Sequence, residues 1–229
     1  MTQAMLQQYT ALVDFLGRTL GPDYEIVLQD LGKKKPSVAA IANGHVSGRT
    51  VGAPLTNTAM QIITDHAYET QSSQINYRGL SASGKLLRCS TFFIKDEHGA
   101  LSGLLCINFD DSRYRELSER VFTLCHPDEY AERNIAISAV PMSLEDNEPE
   151  AFYSSIASAA EDALQSVMNS ASIPTDRLTQ EEKMEIVGLL NQKGVFMLKG
   201  AVTEVAERLS CSPASIYRYL SRLNREKKP

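Results

Sequence analysis

Residues Ala201–Asn224 read AVTEVAERLSCSPASIYRYLSRLN. Val202, Val205, Ala206 and Leu209 recur at three- and four-residue intervals, the spacing of one helix face. Ser210-Cys211-Ser212 then makes a three-residue turn. Ser212 suits the N-cap of the next helix, and Pro213 suits its first position, where a missing N–H costs nothing. In that helix Ile216, Tyr219, Leu220 and Leu223 share one face. Ala214, Arg218, Ser221 and Arg225 lie opposite, flanked by Ser215, Tyr217 and Arg222. Ala206 is small where the two helices must cross. Together these features describe a helix-turn-helix. Small residues let a helix N-terminus enter the major groove, and arginine can grip guanine with two hydrogen bonds or hold a phosphate. A plain helical bundle explains the apolar stripes alone. It does not explain the turn, the cap and the arginine face together.

Upstream, Thr179-Gln180-Glu181-Glu182 is a capping box for a helix running to about Lys193, with Gly194 as its stop. Charge follows the same division. The chain of 229 residues has a net charge of −5. Residues 1–175 hold 13 Lys+Arg against 21 Asp+Glu, and residues 176–229 hold 10 against 7. A basic tail on an acidic body fits a tail that meets phosphate. No apolar run reaches the roughly 18 residues of a membrane helix, and MTQAMLQQYT lacks the basic start and apolar block of a secretory leader. The expectation is a cytoplasmic protein that does not enter membranes.

The N-terminal part alternates element types. Met5, Tyr9, Leu12, Val13 and Leu16 give a helix to about Leu20, ended by Gly21-Pro22. Tyr24–Leu31 and Ser37–Ala42 read as a hairpin, Thr56 to about Tyr68 as a helix, and Leu86–Lys95 with Ala100–Phe109 as a second hairpin. Ser112 is expected to cap a helix to about Leu124. The fold class is therefore α+β: a sheet with helices, followed by an all-α helix-turn-helix domain. The expected domains are 1–125, a linker and connecting helix over 126–175, and 176–229. Ala151–Met168 is the amphipathic part of the connector, suited either to a dimer seam or to packing on its own domain.

Several motifs resemble a known family. Lys199-Gly200-Ala201-Val202, Val205-Ala206 and Ile216-Tyr217-Arg218-Tyr219-Leu220 are similar to the C-terminal domain of YheO-like transcriptional regulators, among them repressors of the D-arginine utilisation type. So are Asn43 through Arg49, Pro54-Leu55-Thr56, Tyr77-Arg78-Gly79 with Gly84-Lys85, and Gly103 through Asp110. The resemblance implies an N-terminal PAS-like antiparallel sheet that senses a small-molecule effector and a C-terminal domain that binds operator DNA. It implies a regulator, expected to act as a repressor; no cofactor is expected. Ser212, Ala214, Ser215, Tyr217, Arg218, Ser221, Arg222 and Arg225 are the candidate DNA-binding residues, with Lys227 and Lys228 nearer phosphate. One such module makes few contacts, so a homodimer on double-stranded DNA is expected. Candidate ligand-binding residues are polar groups in apolar or glycine-rich settings: Asn43, His45, Ser47 and Arg49 after a strand, and Arg88, Ser90 and Asn108 on the second hairpin. An arginine there can hold a carboxylate.

Other chemistries are less well supported. Cys89, Cys106, Cys125 and Cys211 lack the close spacing of a zinc site, so no metal is expected. Cys89 and Cys106 suit buried small hydrophobes, with a redox sensor as the alternative. No G-x-S-x-G, phosphate-binding glycine loop or H-E-x-x-H occurs, so an enzyme is not expected. The remaining alternative is a PAS-like protein-interaction module with a scaffold tail.

Overall fold

The computed structural model describes residues 1–32, 36–125, 149–168 and 178–226. Most of the expected linker, the Arg225 side chain, Lys227 and Lys228 lie outside the described residues. Helix α1 (Gln3–Leu20) is capped by the Thr2 hydroxyl and stops at Gly21, whose φ of 92° favours glycine. Strands β1 (Tyr24–Asp30) and β2 (Ser37–Ala42) follow as an antiparallel pair. Helix α2 (Asn57–Thr64) is capped by Thr56. It ends sooner than its apolar spacing predicts, because His66 turns left-handed before a short 3-10 turn at Ala67–Glu69.

Strand β3 (Ser73–Leu80) was not expected, and β4 (Leu86–Lys95) and β5 (Leu101–Phe109) form the second hairpin. Helix α3 (Ser112–Cys125) comes next. Ser112 lies inside its first turn rather than capping it, and its backbone N–H donates to the Asp110 carboxylate at 3.0 Å. A two-residue strand β6 (Glu150–Ala151) then pairs parallel with β3 at Gly79 and Leu80. The sheet order is β2-β1-β5-β4-β3-β6, so a curled, mainly antiparallel PAS-like sheet carries one parallel edge.

The two faces of the sheet bury different things. Strand alternation sends Ile26, Leu28, Ile94 and Leu105 to the outer face, where α1 covers them with Val13. Val27, Phe93, Leu104 and Cys106 face inward toward α2. The C-terminal part is a helical bundle of α4 (Ile156–Met168), α5 (Gln180–Gln192), α6 (Ala201–Arg208) and α7 (Pro213–Glu226). Helix α4 buries Ala159, Ala160, Ala163, Leu164 and Val167, a small-residue face that lets α5 and α6 approach closely. Arg208 of α6 also pairs with Glu161 of α4 at 2.9 Å. Among the described residues, no helix is long and apolar enough to cross a membrane.

Candidate DNA-reading helix and sensor core

The reading helix is held by its buried side. Val205, Leu209 and Ile216 are fully buried, with Ala206 and Tyr219 nearly so. The turn closes where the Cys211 N–H donates to the Ala206 carbonyl at 2.9 Å, and Ser210 adopts a left-handed φ of 49°. Ser212 caps α7 by accepting the Ser215 N–H at 3.2 Å. Thr179 and Glu182 complete the reciprocal capping box that starts α5. This packing leaves Ser212, Ala214, Tyr217, Arg218, Ser221 and Arg222 exposed, with Ser215 half-buried beside them. Arg218 lies over the Tyr219 ring at 5.7 Å, which directs its guanidinium along the helix surface. Small residues occupy the first turn and arginines the turns after it, an arrangement suited to entering a groove and gripping what flanks it.

The PAS-like sheet encloses a second group of polar residues on its inner face. Glu25 accepts the Ser47 hydroxyl at 2.6 Å and the Asn108 amide at 2.8 Å. Arg49 donates from Nη2 to the Pro54 carbonyl and stands over the Phe152 ring at 6.0 Å. Thr56 donates to the Glu150 carboxylate at 2.7 Å while capping α2. The Tyr77 and Thr91 hydroxyls are 2.7 Å apart, and Thr91 donates to the Cys106 sulfur. Glu25, Gln29, Arg49, Asn108 and Glu150 are each at most 3% exposed, so charged groups here sit in a low-dielectric interior.

Burial raises the Glu25 and Glu150 carboxyls above their ordinary value of 4.5, while hydrogen bonds and the Arg49 charge pull them back. Burial likewise lowers the Arg49 guanidinium, and both carboxylates oppose that shift. Gln29 Oε1, Arg49 Nε, Asn108 Oδ1 and Glu150 Oε2 have no hydrogen-bond partner among the described residues. Each such buried orphan costs about 1–3 kcal/mol until something fills it. Three open acceptors and one cationic donor are therefore presented inside the same domain.

The candidate ligand residues divide accordingly. Arg49 and Asn108 join the inner cluster, as does Ser47. Arg88 and Ser90 do not, because alternation puts them on the outer face with Ile94. There Arg88 covers the Phe109 ring at 5.2 Å, and Ser90 accepts the Asn76 N–H. His45 is exposed. Asn43 is structural: left-handed at φ 56°, it donates to the carbonyls of Gly17, Gly21 and Tyr24 and ties α1 to the sheet. Glu25, Gln29, Thr56, Tyr77, Thr91 and Glu150 complete the cluster without having been expected there. A glutamate in the apolar strand YEIVL was the one available signal.

Cys89 and Cys106 are buried free thiols, Cys106 lying opposite Thr91 and Cys89 opposite Asn108. Burial pushes Cys106 up to about 12 and raises Cys89 further. Both are thus held as thiols, the less reactive form. Between α2, β3 and the bundle lies a cleft of about 650 Å³, lined by Gln61, Asp65, Arg78, Asp162 and Lys193 among others. Tyr77 borders both this cleft and the inner cluster.

Comparison with known proteins agrees with both halves. The YheO-like PAS domain profile matches residues 1–126, and a helix-turn-helix domain profile matches residues 159–221. The second match begins within α4, which packs with the bundle. The protein named YheO from Escherichia coli K12 is 30% identical over 217 residues, covering 94% of this chain and 83% of its own. A Haemophilus influenzae protein is 28% identical over 225 residues, covering 98% and 93%. The transcriptional regulator DauR of Pseudomonas aeruginosa is 26% identical over 221 residues, covering 95% and 94%. With a PAS-like sheet in front and a helix-turn-helix behind, the chain belongs to the family of YheO-like PAS-domain transcriptional regulators.

Proposed function

We propose that this DNA-binding transcriptional regulator represses its target in the cytoplasm as a homodimer, and that its sheet senses a small polar molecule. The observation that carries the DNA-reading part is the exposed face of α7, from Ala214 through Arg222, on a helix anchored by Ile216 and Tyr219. The unpartnered Gln29, Arg49 and Asn108 atoms support sensing. An effector with an acceptor for the guanidinium and a donor for the amide oxygens satisfies all three. Kinship with DauR, a transcriptional regulator, supports the regulatory role. The protein acts by binding and not by catalysis, without metal or cofactor.

The cleft between sensor and bundle offers a route for coupling. A shift of Tyr77 on effector binding is felt at the wall that faces Asp162 and Lys193. The test is fluorescence anisotropy on DNA upstream of the protein's own gene, at two salt concentrations, with random DNA as competitor. Expected is sequence-preferring binding that weakens steeply with salt, as counterion release requires. Binding indifferent to sequence, or none, overturns the reading in favour of an interaction module.

A further inference from the structure

Helix α3 buries none of its side chains, although it carries a regular apolar stripe. Tyr114, Leu117, Val121 and Leu124 are 58%, 60%, 52% and 87% exposed. Their spacing of three, four and three residues is the alternation of a and d positions in a heptad, not the broader stripe of a helix lying on a globular core. The other amphipathic helices in the fold bury their apolar sides: α1 against the sheet, and α4 within the bundle. We infer that α3 is the dimer seam, pairing in parallel with α3 of a second copy of this chain. This rests on the homodimer expected of the regulator and assigns the surface that forms it.

A second copy suits the stripe better than an unrelated partner because the stripe is self-complementary. Placing Tyr114 and Val121 at a, with Leu117 and Leu124 at d, puts Arg113 and Arg120 at g and Ser118 and Cys125 at e. In a parallel pair each g residue meets an e residue of the partner, so arginine meets serine or cysteine. In an antiparallel pair g meets g, and arginine would face arginine. The helix charges are also neutralised locally. Arg113 pairs with Asp23 at 3.1 Å, Arg115 with Asp111 at 2.7 Å, and Arg120 with Glu116 one turn back. Two such helices can therefore approach without stranding a charge. The Tyr114 ring is braced by Phe109 at 5.6 Å, which fixes the N-terminal end of the seam on the sheet. A parallel pair has its two-fold axis along the helices, the symmetry that a palindromic operator demands.

The test uses the full chain in sedimentation equilibrium, with Leu117→Asp as the principal variant. Because Leu117 is 60% exposed and lies outside the hydrophobic clusters of the described residues, the variant should keep the parent urea midpoint. Its dimer Kd should rise by about 100-fold or more. Leu124→Cys, in a background with Cys125→Ser and Cys211→Ser, should form a disulfide between copies under mild oxidation. Glu119→Cys, on the opposite side of α3, should not. A parent dimer that survives Leu117→Asp unchanged, or that crosslinks equally at both positions, overturns the seam and leaves the dimeric regulator standing. A parent that stays monomeric at high micromolar concentration overturns both.

Discussion

Replacing Arg49 with methionine isolates what holds the polar core of the PAS-like sheet together. Arg49 is 3% exposed and its charge faces Glu25 and Glu150, both buried carboxylates. Methionine keeps most of the apolar stem beside Phe152 but removes the donor to the Pro54 carbonyl and the only cation among these groups. A hydrogen bond from a charged donor contributes about 1.5–3 kcal/mol, and stripping one partner from a buried charge group costs about 3–5 kcal/mol. These overlap, so the expected loss at pH 7 is about 3–5 kcal/mol. The loss should shrink toward pH 5, because carboxyls already raised by burial take up protons once their counter-charge is gone. Urea unfolding followed by far-ultraviolet circular dichroism at both pH values measures it. Adding Glu150→Gln should recover part of the loss, with a coupling of about 1–3 kcal/mol. A loss under about 0.5 kcal/mol at both pH values would refute Arg49 as the counter-charge of this core.

Arg218→Ala should weaken operator binding by about 1–3 kcal/mol and relax sequence preference, measured by anisotropy against operator and random DNA, while the fold is kept. Gly79→Ala places a methyl 2.6 Å from the Cys89 sulfur and 2.8 Å from the Phe152 ring, so overpacking should cost about 1–3 kcal/mol in a thermal melt. In the parent, the raised Glu150 carboxyl contributes stability that is present below pH 4.5 and lost as pH rises through its folded-state value. Glu150→Gln should therefore flatten the decline of the urea midpoint between pH 4.5 and 7. Thr179→Ala removes the hydroxyl that accepts the Glu182 N–H, and should lower stability by about 0.5–2 kcal/mol in urea unfolding.

The elements that announced themselves were those with local signals. The helix-turn-helix shows a cap, a proline at its first position and a 3.6-residue apolar stripe, and all three lie where the spacing puts them. The β4–β5 hairpin shows a β-rich run and an apolar run on either side of the turn Asp96–Gly99. Strand β3 was silent for a physical reason. A register shift between Gln74 and Tyr77, with Asn76 left-handed, breaks the alternation that marks a strand. The two residues of β6 carry no period at all and are strand only because Gly79 and Leu80 lie beside them.

The polar core of the PAS-like sheet was half legible for a related reason. Arg49 and Asn108 stood out as polar residues in apolar or glycine-rich runs. Arg88 and Ser90 did so equally, yet parity along β4 sends them to the opposite face. Glu150 reaches Thr56 across 94 residues of sequence, and such a pairing exists only once the sheet has formed.

The most direct test of this regulator is a footprint of the full chain on DNA upstream of its own gene. Two protected half-sites related by a dyad and spaced about 10–10.5 base pairs apart, or a multiple of that, are predicted, with protection of both shifted to higher protein concentration in Arg218→Ala. Protection without a dyad, or a pattern that Arg218→Ala leaves unchanged, would contradict it.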